Sequence, residues 1–183
     1  MPDLMRRTPG LRAYVLAAVA ALSITGQASA SELADLIQTG ERGAALAAID
    51  DGADVNEAQG DGTTPLHWAV YNVDEELTRV LLEHGARADV TNRYGSSPLG
   101  EAIKVAETSL AAMLLDAGAD PEAPNADGQT SLMLATRSGS TEIVRQLIER
   151  GANVNTRESW RGQSALMWAA DSRFPEIVDI LLE

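Results

Sequence analysis

The chain has no cysteine, a single lysine, two histidines and seven aromatic residues in 183. Without cysteine there is no disulfide to staple the fold and no site for a lipoprotein anchor. The two histidines, His67 and His84, have no partner at metal-ligand spacing. A G-x-S-x-G elbow is missing, as is any glycine-rich phosphate loop. The acidic loops Asp54-Val55-Asn56 and Asp120 to Asp127 invite a calcium reading, but Ala123 falls where the first oxygen ligand of an EF-hand loop belongs. Turn chemistry accounts for them better. No cofactor, no metal and no catalytic constellation are expected, and the chain is read as a non-enzyme.

Long hydrophobic runs are also missing, with one partial exception. Arg6, Arg7 and Arg12 lead into the apolar stretch Ala13 to Ile24, and Ala28-Ser29-Ala30 supplies a small-x-small cleavage pattern. Those are the three parts of a secretory signal peptide. The competing reading is a retained anchor, but a spanning helix needs about 20 apolar residues and this run is shorter. Residues 1–30 are therefore read as a signal peptide and residues 31–183 as the mature domain. The product is expected outside the cytoplasm, periplasmic or secreted, from a bacterial exporter. No membrane association is expected after cleavage.

Charge is lopsided. Residues 1–30 hold three of the 14 basic residues and one of the 27 acidic ones, so residues 31–183 carry a net charge of −15. Such a surface repels nucleic acid and anionic lipid, because phosphate binding requires Lys and Arg. A basic protein partner suits it better.

What the chain does have is a beat. Gly52-Ala53, Gly85-Ala86, Gly118-Ala119 and Gly151-Ala152 recur every 33 residues. A fixed period of this length marks stacked copies of one supersecondary unit. The clearest copy runs from Asp61 to Asn92. Asp61-Gly62 is a turn, since Gly supplies the positive φ a tight turn needs. Thr64 and Pro65 open a short helix as cap and first residue. A second helix follows from about Asp74 to His84, with Leu77, Val80, Leu81 and Leu82 on its apolar stripe. Gly85 closes it in the left-handed conformation. Each unit is thus turn, short helix, longer helix, loop.

Thr64-Pro65-Leu66-His67-Trp68-Ala69 resembles the signature of the ankyrin repeat, T-P-L-H-x-A. Later copies keep a hydroxyl, then Leu, then Ala: Ser97, Leu99 and Ala102; Thr130, Leu132 and Ala135; Ser164, Leu166 and Ala169. The helix-closing pairs Leu81-Leu82, Leu114-Leu115, Leu147-Ile148 and Leu181-Leu182 keep the same phase. The resemblance covers residues 31–183. It implies an all-α repeat solenoid of helix-turn-helix units with β-turn fingers, in units of about 31–60, 61–93, 94–126, 127–160 and 161–183. It also implies that His67 ties neighbouring loops together. Trp68, Leu134 and Trp168 share a register position that in the family packs between repeats, so they are expected in the core.

Departures from the beat are few. The first unit starts at Ser31, and its Ala-rich second helix lacks the Leu-Leu pair, as terminal units often do. The last unit stops at Glu183 inside its second helix, which reads as a piece of a longer array, as an array followed by another domain, or as a half-cap. Gly62, Gly95 and Gly128 are 33 apart, but Gly162 comes 34 after Gly128, with the extra residue within Glu158-Ser159-Trp160-Arg161. Solenoid insertions map to loops, often on the binding side. Trp160 is either a contact residue or folded over the adjacent finger.

Partners of the family usually contact the fingers and the exposed face of the first helix. Carried onto this chain, that surface holds Tyr71, Arg93, Tyr94, Lys104, Arg137, Trp160 and Arg161 as partner-binding candidates. The 20 positions mapped to it carry four basic and three acidic residues, near neutrality on an acidic array. Arg, Tyr and Trp are the types enriched in interface hot spots. The expected function is a non-enzymatic, monomeric protein–protein interaction scaffold. The alternative is a targeting module for an enzyme or toxin whose catalytic part lies beyond residue 183.

Overall fold

The computed structural model describes residues 32–183. The signal peptide assigned to residues 1–30, and Ser31, lie outside the described residues. Ten helices fall into five pairs: α1 (Glu32–Gln38) with α2 (Arg42–Asp50), α3 (Pro65–Tyr71) with α4 (Glu75–Glu83), α5 (Pro98–Lys104) with α6 (Thr108–Asp116), α7 (Ser131–Ser138) with α8 (Thr141–Glu149), and α9 (Ala165–Asp171) with α10 (Pro175–Leu182). The odd-numbered helices pack in one row and the even-numbered ones in a second. There are no strands among the described residues. This is the all-α repeat solenoid expected from the sequence.

Each Gly-Ala pair is a helix terminator. After α4, the Gly85 N–H donates to the Leu82 carbonyl at 3.0 Å and the Ala86 N–H to the Leu81 carbonyl at 2.9 Å. That is the Schellman pair of bonds, which satisfies carbonyls orphaned at a helix end. The same two bonds form at Gly52-Ala53, Gly118-Ala119 and Gly151-Ala152. All four glycines sit near φ +88°, between +87° and +89°, where a Cβ is costly. Alanine follows because the next residue turns inward: Ala86, Ala119 and Ala152 are buried.

The signature alanines have an equally direct cause. Ala69, Ala102, Ala135 and Ala169 are fully buried, where a small side chain lets the inner helices approach. Leu77, Leu110, Ile143 and Ile177 on the outer helices, with Leu81, Leu114, Leu147 and Leu181, complete one continuous core. Truncating one of the fully buried leucines to Ala costs about 2–5 kcal/mol. In α2 the buried stripe is rotated: Ala45 and Ile49 are buried while Ala44 is exposed. The degenerate first unit thus still packs, but offers no leucine at the position of Leu77.

The hydroxyl caps are less uniform than the sequence pattern implies. Ser97 Oγ accepts the Gly100 N–H at 3.1 Å. Thr130 and Ser164 cap no backbone N–H of their helices. Packing holds α7 and α9 instead, through Leu132, Met133, Ala165 and Ala169, as tertiary burial does for most protein helices.

Candidate functional site

Between each outer, even-numbered helix and the next inner, odd-numbered helix the chain projects a finger, numbered second to fifth by the helix pair it opens. In the third, the Asn92 N–H donates to the Ser96 carbonyl at 2.9 Å and the Gly95 N–H to the Asn92 carbonyl at 2.9 Å. Asn92 Oδ1 also accepts the N–H groups of Tyr94 and Ser96, both at 3.0 Å. The fourth finger repeats this with Asn125, whose Oδ1 accepts from Asp127 at 3.0 Å and Gln129 at 2.9 Å. The oxygens that invited a calcium reading at Asp120 to Asp127 therefore include several that organise turns; Asp120 Oδ1 likewise accepts the Glu122 N–H. In the second finger the side-chain acceptor is Asp61, which takes the Thr63 N–H at 2.9 Å. That bond, first among its causes, holds the Asp61 carboxyl below its usual range.

The fifth finger explains the 34-residue step. Glu158 stands 33 residues after Asn125, so the extra residue follows it. Its Oε2 accepts the Trp160 N–H at 2.5 Å, and its Oε1 accepts those of Arg161 at 2.8 Å and Gln163 at 3.0 Å. A longer side chain fills a longer loop. The N–H of Gln163 above all, then those of Trp160 and Arg161, hold the Glu158 carboxyl below its usual range.

Neighbouring fingers are locked together. The Arg93 N–H donates to the Asp61 carbonyl at 2.8 Å. His67 Nδ1 accepts the Thr64 N–H at 3.2 Å, and Nε2 donates to the Ser96 carbonyl at 3.0 Å. This is the loop-tying role expected of His67. Burial, its largest influence, pushes the His67 pKa down and keeps the ring neutral.

Fingers and inner helices enclose a groove of three adjoining pockets, about 300, 370 and 560 Å³ in order along the stack. The first and second share Asn92, Tyr94 and Glu101, and the second and third share Asp127, Gln129 and Arg137. The scarce aromatics converge here. Six lie among the described residues, and five of them line the groove: Trp68, Tyr71, Tyr94, Trp160 and Trp168. Phe174 instead packs against Gly139.

Of the seven candidates, Tyr71, Tyr94, Lys104, Arg137, Trp160 and Arg161 line these pockets. Arg93 does not; it sits exposed on the third finger. Trp160 is 79% exposed and stands under the Arg161 guanidinium, 4.4 Å from its ring centre, so it is not folded over the adjacent finger. Lys104 is less free than its place suggests. Its Nζ lies 3.0 Å from Glu101 Oε1 and 3.2 Å from Ser96 Oγ, and the Ser96 hydroxyl also donates to Glu101.

Sequence reasoning missed Glu101 and placed Trp68 and Trp168 too deep. Leu134 is buried as expected, but both tryptophans are only half-buried. One side of each packs on the core, and each also lines a pocket. Their indole N–H groups donate to Gln59 at 2.8 Å and Gln163 at 3.1 Å. Glu101 occupies their register position in the third unit, which was the available signal. With Asp61, Glu101, Asp127 and Glu158 against Lys104, Arg137 and Arg161, the lining is one charge short of neutral. The mapped surface had been slightly positive; the difference is the two glutamates.

Stacked helix pairs with a row of fingers along one groove define a repeat solenoid. A sequence profile of the family described as "Ankyrin repeats (3 copies)" matches residues 33–125 and 106–183. The chain belongs to the ankyrin repeat family. Ankyrin repeats are generally protein–protein interaction modules and typically non-enzymatic scaffolds. No curated protein matches the chain.

Proposed function

We propose that this array is a protein-binding module that takes its partner along the finger-lined groove and works outside the cytoplasm. The observation that carries the reading is the gathering of five of the six described aromatic residues, with Lys104, Arg137 and Arg161, on one surface. Large aromatic and Arg side chains dominate interface hot spots, while the surrounding contacts mainly exclude water. The near-neutral lining on an acidic array lets a partner dock without opposing the bulk charge. Export rests on residues 1–30, and predicts a processed protein whose first residue is Ser31.

The test combines both claims. Crosslinking pull-down from the periplasmic fraction is run with wild-type protein and with a Tyr94→Ser, Arg137→Ala, Trp160→Ala variant. Each anchor contributes about 2 kcal/mol in a hot spot, so the variant should lose its specific partner by more than tenfold. Equal recovery by both proteins would sink the groove reading. Terminal sequencing of the recovered protein checks cleavage at Ser31.

A further inference from the structure

Trp68 and Trp168 hold the same register position but line pockets on opposite sides: the Trp168 pocket is shared with the preceding unit, the Trp68 pocket with the following one. Trp168 has its own cation: the Arg137 guanidinium lies 5.6 Å from its ring centre, reaching forward from the preceding unit. Trp68 occupies the same register position two units earlier in the stack than Leu134. The residue in phase with Arg137 ahead of it is Gln38, which is uncharged and whose Oε1 accepts from Gln59. Around Trp68 the pocket brings Tyr71, its ring 5.7 Å away at 88° to the indole, and Tyr94 from the next finger. Two carboxylates, Asp61 and Glu101, line the same space.

Perpendicular aromatic walls with carboxylates beside them suit a cation. Ring faces attract one electrostatically within about 6 Å, and the carboxylates add charge-assisted hydrogen bonds. A planar guanidinium meets both demands, stacking on an indole while its fork faces a carboxylate. The chain uses that stacking itself at Trp160 and Trp168. Lys104 shows that Glu101 accepts a cationic side chain from the adjoining pocket.

We infer that the pocket of Asp61, Trp68, Tyr71, Tyr94 and Glu101 receives an arginine side chain from an extended basic segment of the protein partner. This deepens the proposed function and rests on it. Charge complementarity supports the choice, since residues 31–183 carry −15. Lys104 competes for Glu101 and therefore limits the affinity.

The probe is the blocked peptide acetyl-Gly-Ser-Arg-Ser-Gly-amide, with citrulline, lysine and glutamate replacing arginine in controls. Binding to the full chain is read from the indole N–H resonances in a proton–nitrogen NMR titration, assigned by single Trp→Phe changes. The Trp68 resonance should shift saturably with the arginine peptide and the Trp168 resonance should not. Citrulline, equal in shape but uncharged, should bind about tenfold more weakly. Glu101→Gln and Tyr94→Ser should each weaken binding about three- to tenfold, Tyr94 being an exposed finger residue whose loss leaves the fold intact. Lys104→Met should tighten it. Equal binding of arginine and citrulline, or a shift at Trp168 in place of Trp68, overturns the assignment. If the peptide fails while the triple variant still loses its partner, the arginine pocket falls and the groove reading stands. If the peptide binds but the triple variant keeps its partner, the groove reading falls, and with it the assignment of the arginine to that partner.

Discussion

Compare the third and fourth fingers with the fifth. The first two close over an asparagine, five residues each; the fifth closes over a glutamate and needs six. In the regular fingers the amide oxygen takes two backbone N–H groups, whereas in the fifth a carboxylate takes three. An insertion that would have left donors unpaired was absorbed by one additional methylene and a charge. The result is a finger one residue longer that carries the exposed Trp160. The regular fingers also lean on a successor. A Cβ on Gly95 would lie 2.5 Å from the Ala126 nitrogen, while one on Gly162 meets nothing within 4 Å.

That contrast sets the largest expected effect. Gly95→Ala combines a left-handed φ of +70° with a backbone clash, and should cost about 2–4 kcal/mol. Gly162→Ala, at φ +65° in open space, should cost about 1 kcal/mol. Urea midpoints of the two variants decide it, and equal losses would mean that the finger stack contributes nothing. Next in size is Glu158→Ala, which strips three N–H groups of their acceptor. Glu158→Asn should be nearly as damaging in the six-residue loop, but combined with deletion of Arg161 it should recover most of the midpoint. Failure of that rescue would break the length-for-length account.

Acid separates the fingers in another way. Glu158 is held below its usual value of 4.5 by its donors. Its stabilisation is complete above that value and is lost as pH falls through the lower native one. Glu158→Gln should abolish that part of the acid loss. His67 acts in a higher window: kept neutral below its usual 6.5 by burial, it binds a proton more readily unfolded. Stability should therefore start to fall below about pH 6.5, and His67→Gln should flatten that part of the curve. Urea midpoints measured between pH 7 and 3 read both.

The smallest effect lies at the turns joining inner to outer helices. Gly40 and Gly139 adopt positive φ there, but so do Val73, Ala106 and Arg173, at +56° to +58°. Val73→Gly should stabilise by at most about 1 kcal/mol, relief of strain being offset by backbone entropy. A lower melting temperature for that variant would contradict the strain at Val73.

These same residues show what a sequence can carry. The Gly-Ala pairs were legible because a left-handed terminator and a buried successor each restrict the residue type to almost one choice. The fully buried signature alanines were legible for the same reason. Val73, Ala106 and Arg173 were invisible, since their conformation is imposed by neighbours and leaves no mark in their type. The extra residue near Trp160 could be counted, but its compensation by Glu158 is a matter of side-chain reach. Glu101 stood in phase with two tryptophans, and only the folded chain shows it paired with Lys104 and sharing a pocket with Trp68. For the tryptophans, register fixed their position in the unit without fixing how much of each ring its neighbours cover.

Among the described residues, every substantial helix-to-helix contact joins members of one pair or of adjacent pairs. Chain segments that must find each other are therefore never far apart along the polypeptide, and assembly demands no long search. Order can begin in any pair and spread outward, and under stress it should retreat from the ends inward. A finger held between two pairs, such as those closed by Asn92 and Asn125, is then supported from both sides, so that loosening one neighbour leaves the groove around it defined by the other.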